Sequence, residues 1–153
     1  MSGQAREPAD VLLVEDDPGD ALMTREAFAQ AGKDSRFHVL PNGRLALQFL
    51  RRAAEFAVAP VPGLILLDLS MPGLPGLEVL ARVRADPGLA GIPLVVLTSS
   101  RLPRDAERCR ELGADDYIVK PLDFDGFAAM IQQVDACLVR LAARRPAAGS
   151  GSG

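Results

Sequence analysis

The sequence predicts an α/β fold: a doubly wound, five-stranded parallel sheet with helices on both faces. Three observations predict it. Five short apolar runs alternate with segments of helical period. The first, third and fourth runs have little polar alternation, as expected of strands covered on both faces of a parallel sheet. Asp17-Pro18, Gly32 and Gly113 stand where helices should open and stop.

The first strand is read at Val11-Leu12-Leu13-Val14. Asp17 then offers an N-cap and Pro18 a first helical residue, with Met23, Ala27, Phe28 and Ala31 on one side and Gly32 as the stop. The second strand is Phe37 to Leu40, and its helix carries Ala46, Phe49, Leu50 and Ala53. A Pro-containing surface loop from Glu55 to Gly63 leads to the third strand, Leu64 to Leu67. The third helix opens near Leu77 with Val79, Leu80 and Val83 inward. The fourth strand is Ile92 to Leu97, followed by a helix carrying Leu102, Ala106, Cys109 and Leu112. The fifth strand is Tyr117 to Val119, and the fifth helix spans about Phe124 to Arg144. One domain over 10–144 results, between a disordered N-terminus (1–9) and a flexible Gly/Ser tail (145–153), natural or engineered.

Composition narrows the function. Hydrophobic residues make up 48% of the 153, enough for a sizeable core. A net charge of -3 gives no electrostatic reason to expect a nucleic-acid partner. The first ten residues lack the apolar core of a signal peptide, and no apolar run could span a bilayer. A cytoplasmic protein with no membrane partner is expected. Cys109 and Cys137 lack the spacing of a metal or redox motif and read as packing residues.

In such sheets the ligand sits at the carboxyl ends of the strands. The residues placed there are Glu15, Asp16 and Asp17, then Asp68, then Thr98, Ser99 and Ser100, then Lys120 and Pro121. Clustered carboxylates are stable together chiefly around a hard cation, and oxygen ligands with room for water favour Mg²⁺. One carboxylate can then act as a nucleophile toward phosphorus, while a hydroxyl and an ammonium meet the other oxygens. Plainer readings accompany several of these residues. Asp17 caps a helix, Ser99 and Ser100 satisfy loop backbone, and Tyr117 is a half-buried strand aromatic. His38, the only histidine, reads as an ordinary strand residue rather than a phosphodonor. Arg101, Arg104, Arg108 and Arg110 form a solvated face or border a partner surface.

Together, the acidic cluster after the first strand, the Asp in LDLSMPGLPG, the Thr-Ser-Ser after LVVL and the Lys-Pro in YIVKP resemble the response regulator receiver domain of two-component signalling. The resemblance runs from about Asp10 to Leu141 and implies the flavodoxin-like receiver fold. It implies Asp68 as phosphoacceptor, and Mg²⁺ held by Asp16 directly, by Glu15 through water, by Asp68 and by the Ser70 carbonyl. It implies Thr98 as switch hydroxyl, Lys120 as phosphate-binding lysine, Tyr117 as switch aromatic and a cis peptide before Pro121. Ser70 stands where Asn or Met is common, and Pro75 where an acid or Asn is common. Gly76 is kept, so the turn should form.

The implied function is a stand-alone receiver that takes a phosphoryl group from a sensor histidine kinase and signals by protein contacts. The alternative is a degraded receiver or a small phosphohydrolase-like enzyme using the same acids. No insertion is large enough to cap a substrate, and Asp16, Asp68, Thr98 and Lys120 are all present. The Thr-Ser-Ser segment, the arginines and the long fifth helix also resemble single-domain regulators serving bacterial phytochromes, which implies a phytochrome as the kinase. No output domain is expected after the fifth helix. Met130 and Cys137 widen that helix's stripe of Phe127, Ile131, Val134, Leu138 and Leu141. This predicts a homodimer through the fourth and fifth helices.

Overall fold

The computed structural model describes residues 7–69 and 75–144. Strands β1 (Asp10–Val14), β2 (Arg36–Leu40), β3 (Leu64–Asp68), β4 (Leu94–Thr98) and β5 (Asp116–Val119) alternate with helices α1 (Pro18–Gln30), α2 (Gly43–Arg51), α3 (Gly76–Ala85), α4 (Pro103–Glu111) and α5 (Phe124–Arg144). All strand pairs are parallel, in the order β2-β1-β3-β4-β5. This is the doubly wound fold expected. The order reverses between β1 and β3, so a crevice opens where their carboxyl ends diverge.

The side-chain alternation of the strands divides the core into two layers. Leu12, Val14, Ile65, Leu67, Leu94 and Val96 face α2, α3 and α4. Val11, Leu13, Leu64, Leu66, Val95 and Leu97 face α1 and α5. β1, β3 and β4 are buried along their whole length, which is why their sequences lack polar alternation.

The helix signals act as expected at α1. The Asp17 carboxylate accepts from the amides of Gly19 (2.8 Å) and Asp20 (3.2 Å), and Gly32 adopts a φ of 80° after the last turn.

Four expectations are corrected. Residues 7–9 are not a disordered lead. Glu7 accepts from the Asp34 amide at 2.9 Å, and the Ala9 carbonyl accepts from Arg36 N at 2.8 Å, so the segment is tied to the start of β2. β4 begins at Leu94 rather than Ile92, because Pro93 has no N–H to give a ladder. Ala53 lies beyond α2, which ends at Arg51 in a left-handed cap at Arg52. Met130 and Cys137 are buried within the domain, where α5 packs on α1 and the sheet beside Ala21 and Phe28. The wide apolar stripe of α5 is therefore spent on the domain's own core, which removes the premise from which the dimer was expected. No described helix is long and apolar enough to cross a membrane.

Candidate functional site

The strand ends deliver the chemistry to the crevice between β1 and β3. Glu15 follows β1 and is held by its amide, which donates to the Leu40 carbonyl at 2.9 Å. Asp68 is the last residue of β3, and Thr98 the last of β4. Lys120 follows β5, and its amide donates to the Thr98 carbonyl at 2.7 Å. Glu15, Asp68 and Thr98 are buried, while Asp16 is exposed at the mouth.

Glu15, Asp16 and Asp68 each bring a carboxylate oxygen within 4.8 Å of the others. The donor set is all oxygen and carries more negative charge than one ammonium offsets, so it fits a hard divalent cation. Asp17 is not in this group; its carboxylate is spent capping α1. Ser70 lies outside the described residues.

Lys120 reaches across the sheet. Its Nζ stands 2.9 Å from Glu15 Oε1, 3.0 Å from Asp68 Oδ2 and 2.8 Å from Asp20 Oδ2. Burial opposes the charge on Lys120, but its hydrogen bonds to Asp20, Glu15 and Asp68 outweigh that and hold the ammonium above its ordinary value. Burial, and then the hydrogen-bonded Asp68 beside it, push the Glu15 carboxyl up to about 7.

Asp20 is the residue that the sequence reading missed. It lies in the first turn of α1, three residues after the N-cap. An acid there has an ordinary role at a helix N-terminus, so nothing local marked it as a partner for Lys120.

Thr98 and Tyr117 meet through Ser100. Thr98 Oγ1 accepts from the Ser100 amide at 3.1 Å, and the Tyr117 hydroxyl donates to the Ser100 carbonyl at 2.9 Å. The Ser100 hydroxyl donates to Asp105 in the first turn of α4 and accepts from the Leu102 amide at 3.2 Å. Ser100 thus does more than satisfy its own loop: it joins the two expected switch residues to α4.

The expected cis bond before Pro121 is absent, since no peptide among the described residues is cis. The trans isomer is the intrinsically favoured one for an X–Pro bond. Lys120 makes its carboxylate contacts with that bond trans. Cys109 and Cys137 are free and buried, and burial pushes the Cys137 thiol up to about 11, as suits a packing residue.

Residues 11–132 match the response regulator receiver domain family. Response regulator Rcp1 of the cyanobacterium Synechocystis is 35% identical over 136 residues, spanning 89% of this chain and 92% of Rcp1. The crystal structure of the Mn²⁺-bound form of Rcp1 superposes with a TM-score of 0.77 at 34% identity, covering 84% of this chain and 92% of that one. The phosphorylated cyanobacterial phytochrome response regulator RcpA superposes with a TM-score of 0.78 at 33% identity, covering 83% of this chain and 91% of that one.

Proposed function

Since the chain belongs to the response regulator receiver domain family, we propose that it works as a single-domain response regulator in which Asp68 accepts a phosphoryl group from a sensor histidine kinase. The observation that carries this reading is the position of Asp68. It is a buried carboxylate at the end of β3, facing both the acidic residues after β1 and the Lys120 ammonium. In the transfer, an Asp68 oxygen attacks phosphorus, the P–N bond to the donor imidazole breaks, and an acyl phosphate remains on Asp68. Lys120 would offset charge on the transferred group, and the Thr98 hydroxyl, at the end of β4, would donate to one of its oxygens.

Glu15, Asp16 and Asp68 would hold Mg²⁺, with the Ser70 carbonyl as a further ligand. When bound, Mg²⁺ supplies the positive charge that lets two anionic groups approach. The oxygen-only donor set supports this ion, as does the Mn²⁺ found in Rcp1. Resemblance to RcpA supports a bacterial phytochrome as the kinase, and hence a cytoplasmic site of action. The signal would leave by protein contacts along α4, β5 and α5. A homodimer through that face no longer has the α5 stripe behind it, and sedimentation with and without a phosphate analogue tests it.

The deciding experiment is incubation with Mg²⁺ and a small phosphodonor, followed by intact mass measurement. The parent should gain one phosphoryl group and Asp68→Asn none. Equal gain by the variant would overturn the assignment. Calorimetric titration with Mg²⁺ should show weaker binding for Asp16→Ala.

A further inference from the structure

We propose that Asp20 is a positioning residue that competes with the phosphoryl group for Lys120. The inference rests on the phosphoacceptor reading above. An ammonium has three hydrogens to donate. In this structure Lys120 spends them on Glu15, Asp20 and Asp68, at 2.9, 2.8 and 3.0 Å. A phosphoryl group on Asp68 brings three acceptor oxygens and added negative charge. Acylation consumes the Asp68 carboxylate, so that donor passes to one phosphoryl oxygen; to give the group a second donor, Lys120 must release Glu15 or Asp20.

The two remaining partners differ in how readily they can be released. The Glu15 side chain is 1% exposed and belongs to the carboxylate group that fits the cation. Releasing Glu15 would leave a buried acid without its ammonium. Asp20 is 34% exposed and lies outside that group, so water can take over its hydrogen bond. Asp20 is therefore the partner that lets go. Before phosphorylation it holds the ammonium toward α1 at the mouth of the site. It also keeps a carboxylate 2.8 Å from the ammonium that an incoming anion needs. Both effects oppose anion binding at Asp68, and neutralising Asp20 should relieve both.

The experiment measures the affinity of the full chain for beryllofluoride in the presence of Mg²⁺, for the parent, Asp20→Asn and Asp20→Glu. Loss of a partly exposed ion pair predicts binding about two- to five-fold tighter for Asp20→Asn. Asp20→Glu, which keeps the charge, should stay close to the parent. Asp20 also sits at a helix N-terminus, and a purely structural role there would lower the melting temperature of Asp20→Asn without tightening anion binding. Equal or weaker beryllofluoride binding by a folded Asp20→Asn, with the parent binding normally, would overturn the inference and leave the phosphoacceptor reading intact. A parent that neither binds beryllofluoride nor gains a phosphoryl group would overturn both.

Discussion

The hydroxyl of Tyr117 is hydrogen-bonded to the carbonyl oxygen of Ser100 at 2.9 Å, which ties β5 to the segment that also holds the Thr98 hydroxyl. If Thr98 turns to a phosphoryl oxygen, it gives up the Ser100 amide, and the carbonyl that Tyr117 grips moves with it. Tyr117 is the only tyrosine and the chain has no tryptophan, so its emission reports one site. Tyrosine fluorescence should change when Mg²⁺ and beryllofluoride are added, and the change should be absent in Asp68→Asn. A signal indifferent to the analogue would count against Tyr117 as the switch aromatic. Tyr117→Phe keeps the ring and loses one hydrogen bond, worth about 1 kcal/mol, so a small fall in stability is expected.

Gly76 carries a second prediction. A Cβ there would stand 2.8 Å from both Cα and Cδ2 of Leu69 and 3.1 Å from the Asp68 carbonyl oxygen. Two of those atoms are backbone, directly at Asp68, so the strand end has to shift. Gly76→Ala should cost about 2 kcal/mol, in the usual range for overpacking. It should also slow phosphoryl gain from a small donor, because Asp68 is displaced from Lys120. Denaturant unfolding and intact-mass time courses check the two parts separately.

Asp10 sets an acid limit on stability. Its side chain is 8% exposed at the start of β1. It receives Arg36 Nε and Nη2 at 3.1 and 3.2 Å, and His38 Nε2 stands 2.9 Å away. The Arg36 hydrogen bonds, then that of His38, hold the Asp10 carboxyl below its ordinary 3.8. A depressed carboxyl contributes stability that is fully present above its unfolded value and is lost as the pH falls through its folded value. Arg36 is 73% exposed, so solvent screens the pair and its contribution is small. Asp10→Asn should be less stable than the parent at pH 6, and the gap should close in acid, as the pH falls below the ordinary carboxylate range. A gap that persists unchanged in acid would contradict this account.

The sequence made some of this architecture legible and not the rest, for physical reasons. Fully buried strands leave an unbroken apolar run, so β1 and β3 could be read within a residue of their ends, and the acids just past them marked the crevice. Asp17 announced itself because a cap works through its immediate neighbours. Asp20 and Lys120 are 100 positions apart, and their pairing exists only once β5 is laid beside β4 and α1 is packed over β1. The period of α5 correctly gave Met130 and Cys137 as apolar rows. Period alone could not say that α1 stands close enough to bury them. A proline's isomer is likewise fixed by its packing, and Pro121 is trans here.

Arg84 is the furthest from anything a motif could reveal, and it carries the last prediction. On α3 it reads as one more surface arginine. In the structure its guanidinium fan is nearly filled. Nε donates to the Gly113 carbonyl at 2.8 Å, Nη1 to the carbonyls of Ala90 and Ile92 at 2.9 and 2.8 Å, and Nη2 to Asp115 Oδ2 at 2.8 Å. The same Asp115 oxygen accepts from the Leu94 amide at 2.9 Å, so one side chain joins α3 to the loops that start β4 and β5. A lysine cannot reproduce a planar fork with five donors. Arg84→Met leaves three carbonyls and a carboxylate short of a partner at 16% side-chain exposure, and should cost about 3 kcal/mol. Arg84→Lys should recover less than half of that. These contacts lie at the amino ends of β4 and β5, opposite Asp68. Below the melting transition, Arg84→Met should therefore gain a phosphoryl group at nearly the parent's rate. Denaturant unfolding and intact mass on the same samples test the separation, and a variant of parental stability would refute the clamp.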